Sequence, residues 1–110
     1  MPIRQLSDRV EVKASPIHGK GVFAKHRIAK NALVGVFAGS RTRRNGRYVL
    51  WVEDEAGRWI GINGNNELRY LNHSRRANAT FRGDRLYSLR EIRAGAEVTF
   101  DYGDGWEDYG

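Results

Sequence analysis

At 110 residues, 40% apolar and 29% charged, the chain has the size and make-up of one globular domain, and 13 glycines against two prolines point to many turns. The absence of cysteine excludes disulfides and thiolate zinc sites, and no apolar run approaches the ~20 residues that a membrane-spanning helix needs. A net charge of +6 leaves either a solvated arginine-rich surface or an affinity for acidic partners.

Short apolar runs separated by turn residues predict a mainly β domain. Residues 10–12 read as a first strand, 21–24 as a second and 33–37 as a third, ended by Gly39. The runs 48–52 and 58–62 flank Asp54-Glu55-Ala56-Gly57 and read as a hairpin. Thr80-Phe81 and Leu86-Tyr87 flank a Gly83-Asp84 turn and read as a second. Residues 98–102 form the last strand, and β-branched and aromatic side chains fill all these runs. Only 66–71 suits a helical turn or two. Residues 41–47, Arg-Thr-Arg-Arg-Asn-Gly-Arg, read as a basic solvated loop.

One internal echo is present. Ile28-Ala29-Lys30-Asn31-Ala32-Leu33-Val34 resembles Ile92-Arg93-Ala94-Gly95-Ala96-Glu97-Val98, and each places a residue tolerant of positive φ before a strand. The echo predicts one turn-then-strand device used twice rather than a solenoid.

Three segments carry the chemistry. Arg69 to Asn78 packs two amides, an imidazole and a hydroxyl into ten residues without a regular period, as a segment folded around a ligand would. His18-Gly19-Lys20-Gly21-Val22-Phe23-Ala24 is a Gly-x-Gly turn entering a strand, where backbone can approach a ligand closely, although the same pattern also makes an ordinary tight turn. Glu97-Val98-Thr99-Phe100-Asp101-Tyr102-Gly103 ends a β-rich run on an aromatic hydroxyl. His18, His26 and His73 lack the i, i+4 spacing of a helical metal site, so no metal is expected. The last ten residues hold Asp101, Asp104, Glu107 and Asp108 and no base, so the first hundred are four units more basic than the whole chain.

Taken in order, His-Gly-Lys-Gly-Val-Phe-Ala, Arg-Tyr-Leu-Asn-His-Ser-x-x-Ala-Asn and Gly-x-Glu-Val-Thr-Phe-Asp-Tyr-Gly closely resemble the SET-domain protein-lysine methyltransferases. The resemblance runs from about Val10 to Tyr109, and its Asn-His-Ser and Phe-Asp-Tyr elements are the specific ones. It implies a β-clip fold of several small sheets with a C-terminal pseudoknot, covering residues 1–110 as a single domain. It also implies S-adenosylmethionine as cofactor, S-adenosylhomocysteine as product, and a protein substrate, histone or histone-like, with an accessible lysine. By position, His18, Lys20, Gly21, Val22, Arg69, Asn72 and His73 are expected to bind the cofactor, with Tyr102 both touching it and catalysing transfer. Phe37, Phe100, Trp106 and Tyr109 are expected along the substrate channel.

Two features depart from the family pattern. Phe37 stands where many relatives carry a second active-site tyrosine, and with Phe100 it favours multiple methylation. The chain also has no cysteine-rich zinc segment; residues 104–110, acidic and aromatic, stand in its place. In this it resembles the minimal SET proteins of bacteria and large viruses, which implies an intracellular, bacterial cytoplasmic protein, or a secreted effector, with a homodimer as one way to complete the channel. The rival readings are a catalytically weak SET-fold binding module and a basic nucleic-acid-associated protein, with nucleic acid not expected as the methyl acceptor.

Overall fold

A computed structural model describes residues 9–102, in which the apolar runs become ten strands and one 3-10 turn. The strands are β1 (Val10–Ala14), β2 (Lys20–Ala24), β3 (Leu33–Val36), β4 (Gly39–Thr42), β5 (Val49–Glu53), β6 (Trp59–Gly64), β7 (Asn72–His73), β8 (Ala79–Arg82), β9 (Arg85–Ser88) and β10 (Glu97–Phe100). Seven join in the order β1-β2-β10-β8-β9-β3, with β7 alongside β10, and β4-β6-β5 make a separate antiparallel sheet. Among the described residues no helix is long and apolar enough to cross a membrane.

The core lies where β2, β3, β9 and β10 turn alternate side chains inward. Val22, Val34, Leu86 and Val98 are fully buried, and Ile28 and Ile92 are 1% exposed. Burying each such side chain contributes about 1.5–3 kcal/mol. The sequence echo accounts for this centre. Ile28 and Ile92 exchange both backbone hydrogen bonds at 2.8 Å. Around them the same contacts occur twice: Ala24 N–H donates to Ala96 O and Gly95 N–H to Ala24 O, while Ser88 N–H donates to Ala32 O and Asn31 N–H to Ser88 O. Asn31 (φ +63°) and Gly95 (φ +84°) both adopt the left-handed conformation at the turn. Each copy's first strand then pairs with the other copy's second, β2 with β10 and β9 with β3.

Strand β10 is held on both edges. One edge meets β2 and then runs parallel to β7 (Thr99↔Asn72, Phe100↔His73), and the other touches β8 at Ala79. Asn78 fills the gap as a surrogate backbone: its amide donates to Glu97 O and accepts from Thr99 N–H, each at 2.9 Å. The segment from Asn72 to Ala79 thus wraps β10, giving the expected pseudoknot.

Three local expectations change. Residues 41 and 42 belong to β4 instead of a loop, and Gly39 opens that strand. A Cβ on Gly39 would lie 1.9 Å from Asn63 O, so its absence lets β4 pair with β6 without any apolar pattern. The turn expected over 66–71 is a single 3-10 turn, Glu67–Tyr70, which buries Leu68. The last strand ends at Phe100, leaving Tyr102 just beyond it.

Candidate functional site

The Gly-x-Gly segment is a tight turn closed by Ser15 N–H donating to Gly19 O at 2.7 Å, with Gly19 at φ +44°. Gly21 then enters β2 against the carboxylate of Glu97: a Cβ there would sit 2.3 Å from Glu97 Oε2 and 2.9 Å from Ser15 Cβ. The space left by the missing side chain is filled by a polar cluster. Ser15 Oγ donates to Glu97 Oε1 and Oε2 at 2.8 and 2.9 Å. Asn72, 7% exposed, directs its Nδ2 at Glu97 Oε2 (2.8 Å), Lys20 O (3.0 Å) and His18 O (3.1 Å). Three acceptors therefore converge on one amide nitrogen that has two hydrogens.

Two cations, one of them the side chain of Lys20, gather on the Tyr70 ring. Lys20 Nζ stands 5.3 Å from the centre of the Tyr70 ring, and the Arg69 guanidinium 4.5 Å from it. Arg69 also donates to the Tyr70 hydroxyl (2.7 Å) and to Asn66 O (3.4 Å), and Tyr48 packs edge-on against Tyr70. Convergent acceptors next to paired cations suit a ligand bearing both an ammonium and a carboxylate.

Tyr102 contacts the residues on either side of Asn72 in the chain. Its hydroxyl donates to Leu71 O at 2.5 Å, and its backbone N–H donates to His73 Nδ1 at 3.0 Å. Its ring centre is 5.1 Å from that of His73 and 4.8 Å from that of Phe100. Burial, and after it the negative charge of Glu97, pushes the Tyr102 hydroxyl above the ordinary tyrosine value, so it stays neutral across the physiological range. Phe100 packs edge-on to Phe81, and Phe81 edge-on to Phe37.

The structure thus brings His18, Lys20, Gly21 and Asn72 together through direct hydrogen bonds or packing, and His73, Phe100 and Tyr102 through their rings, with Asn72 and His73 joining the two groups as neighbours on β7. Arg69 reaches the first group through Tyr70. Two expected residues sit deeper. Val22 is fully buried between β1 and β10, and Phe37, 6% exposed, is linked to Tyr102 through the rings of Phe81 and Phe100. The ring carbon Cζ of Phe37 faces Gly64, where a Cβ would come within 2.5 Å of it. Trp106 and Tyr109 of the expected channel, with the rest of 104–110, lie outside the described residues. Glu97, Ser15 and Phe81 are not among the residues expected from the sequence; Glu97 carries no sequence signal, since the space at Gly21 that receives its carboxylate comes from the β2–β10 pairing. No group of three His, Cys, Asp or Glu among the described residues is arranged to hold a metal.

Comparison with known proteins agrees with this arrangement. The SET domain family model matches residues 19–103. The histone-lysine N-methyltransferase MEDEA of Arabidopsis thaliana is 29% identical over 119 residues, spanning 89% of this chain but only 17% of its own length. The solved methyltransferase domain of human PR domain-containing protein 2 superposes with a TM-score of 0.67 at 24% identity, over 96% of this chain and 85% of that one, a likeness of fold. With the family model covering most of the chain, and the Gly-x-Gly turn, the Asn-His-Ser segment and the wrapped last strand all in place, the protein belongs to the SET-domain family of protein-lysine methyltransferases.

Proposed function

We propose that the protein transfers a methyl group from S-adenosylmethionine to the side-chain amine of a lysine in a protein substrate, releasing S-adenosylhomocysteine. The observation that carries this reading is the cluster of His18 O, Lys20 O and Glu97 around the Asn72 amide, next to Lys20 and Arg69. An amino-acid head group needs acceptors for its ammonium and cations for its carboxylate, and Asn72 can present either end of its amide. The residues present fit the cofactor on those grounds. When bound, S-adenosylmethionine supplies a methyl on a positively charged sulfonium.

The chain's own residues then have three tasks. The Gly-x-Gly turn and Asn72 fix the head group, which sets the direction of approach in a displacement where alignment dominates the rate. The rings of Phe100 and Phe81 give Tyr102 an apolar flank, and apolar surroundings disfavour the lysine ammonium, whose unperturbed pKa is about 10.4, relative to the nucleophilic amine. Tyr102, kept neutral and donating to Leu71 O, presents its oxygen to the incoming amine and orients it. Phenylalanine at 100, whose ring centre is 4.8 Å from that of Tyr102, leaves no hydroxyl there to hold a partly methylated amine in one rotamer, which favours more than one transfer. The relative described as a histone-lysine methyltransferase supports a histone-like substrate.

Labelled S-adenosylmethionine, incubated with the full chain and a panel of basic proteins, tests the reading. Label recovered as methyllysine after hydrolysis is the expected result. Cofactor binding without any incorporation would replace the enzyme with a binding module.

A further inference from the structure

The second sheet carries a surface that methyl transfer does not use. In β4-β6-β5 the register pairs Gly61 with Thr42 on one side and Trp51 on the other, and Trp59 with Glu53. Leu50 and Ile62 pack inward on the core, so the alternate positions put Trp51 and Trp59 on the outer face. Trp51 lies flat there because Gly61 has no Cβ: one would be 3.0 Å from two carbons of the indole. Trp59 is 65% exposed, an indole left in water on a sheet face.

The basic loop is anchored to this same face. Trp51 Nε1 donates to Asn45 Oδ1 at 3.0 Å, Arg44 N–H donates to Thr42 Oγ1 at 3.0 Å, and Val49 N–H closes on Gly46 O. Arg43, Arg44 and Arg47 are exposed, and among the described residues no carboxylate pairs with any of them. The acids of this sheet, Glu53, Asp54 and Glu55, gather at the β5–β6 turn beside Trp59, where Asp54 is taken up by Arg58. Three unpaired guanidinium groups therefore border the Trp51 end of this aromatic face. That end repels a lysine-rich peptide and attracts a polyanion.

We propose that the outer face of β4-β6-β5 binds single-stranded nucleic acid, with Arg43, Arg44 and Arg47 on phosphates and a base stacked on Trp59. Stacking needs an unpaired base face, which a duplex hides and an acidic peptide lacks. The site shares no residue with the methyl-transfer site, so either can stand without the other.

Fluorescence anisotropy of a labelled oligothymidylate of about 12 nucleotides, titrated with the full chain, tests it. Three phosphate contacts predict a log–log salt slope of about −2. Replacing Arg43, Arg44 and Arg47 together with alanine should flatten that slope towards zero. Trp59→Ala should weaken binding by roughly 5- to 100-fold, from the range for one stacked base, and Trp59→Phe should restore most of it. Unchanged affinity in the arginine and Trp59→Ala variants would overturn the proposal. So would equal affinity for a duplex of the same length, or displacement by polyglutamate at matched charge.

Discussion

Gly21→Ala is a small change with a large expected effect. On a permissive strand position the substitution stabilises a protein by about 0.4–1 kcal/mol, because the unfolded chain loses freedom. Here the new methyl would sit 2.3 Å from Glu97 Oε2 and 2.9 Å from Ser15 Cβ, so the carboxylate must move. Moving it breaks the bonds from Ser15 Oγ and Asn72 Nδ2, and hydrogen bonds to a charged group contribute about 1.5–3 kcal/mol each. Glu97 is only partly buried, so water recovers part of that loss. A net destabilisation of about 2–3 kcal/mol is expected, and at roughly 4–8 °C per kcal/mol for a domain near this size, Tm should fall by roughly 8–24 °C. Thermal unfolding followed by circular dichroism measures this, and calorimetric titration with S-adenosylhomocysteine should show weakened binding. Glu97→Ala should cost clearly less in the Gly21→Ala background than in the wild type, since the same contacts are already lost. A Gly21→Ala protein as stable as the wild type, or strictly additive effects in the double variant, would refute the reasoning.

Three further expectations follow from the geometry. Gly95→Ala, at φ +84°, should destabilise by about 1–2 kcal/mol, whereas Asn31→Gly, at the equivalent turn with φ +63°, should change stability by well under 1 kcal/mol in denaturant titrations. Phe37→Tyr places a hydroxyl against Gly64 and should cost about 1–3 kcal/mol by overpacking; an unchanged Tm with a shift towards monomethyl product would mean that the ring reaches the channel instead. The raised Tyr102 value keeps its hydroxyl protonated in the fold when the unfolded phenol ionises, so its contribution to stability is complete below about pH 10 and is lost as pH rises through the folded value. Methyl transfer should accordingly rise with pH as the lysine ammonium deprotonates, with no fall from Tyr102 below pH 10; a decline near pH 8 that Tyr102→Phe abolishes would contradict this.

The strands that were legible in the sequence are those whose β-branched and aromatic residues face the core. The turn-then-strand device at 28–34 and 92–98 was legible as a repeat, because a turn with positive φ leaves an asparagine or glycine as its mark, whereas the pairing of the two copies was not. Strand β4 was not, since Gly-Ser-Arg-Thr has no apolar alternation and pairs through its backbone and the missing Cβ of Gly39. Glu97 was missed for a related reason. A carboxylate on a strand ordinarily points to solvent, and what turns this one inward is an empty space at Gly21 and a serine 82 residues away. The direction of the Phe37 ring was equally hidden, because position in a strand fixes a face but not which neighbour the ring meets.

The central claim is that Tyr102 acts at the transferring methyl beside a cofactor held by the Gly-x-Gly turn and Asn72. The most direct measurement compares Tyr102→Phe with the wild type for both labelled methyl transfer and S-adenosylhomocysteine affinity. The account predicts that transfer falls by a hundredfold or more, about 2.7 kcal/mol of barrier, while affinity changes by less than about tenfold. Equal transfer by the two proteins would contradict it.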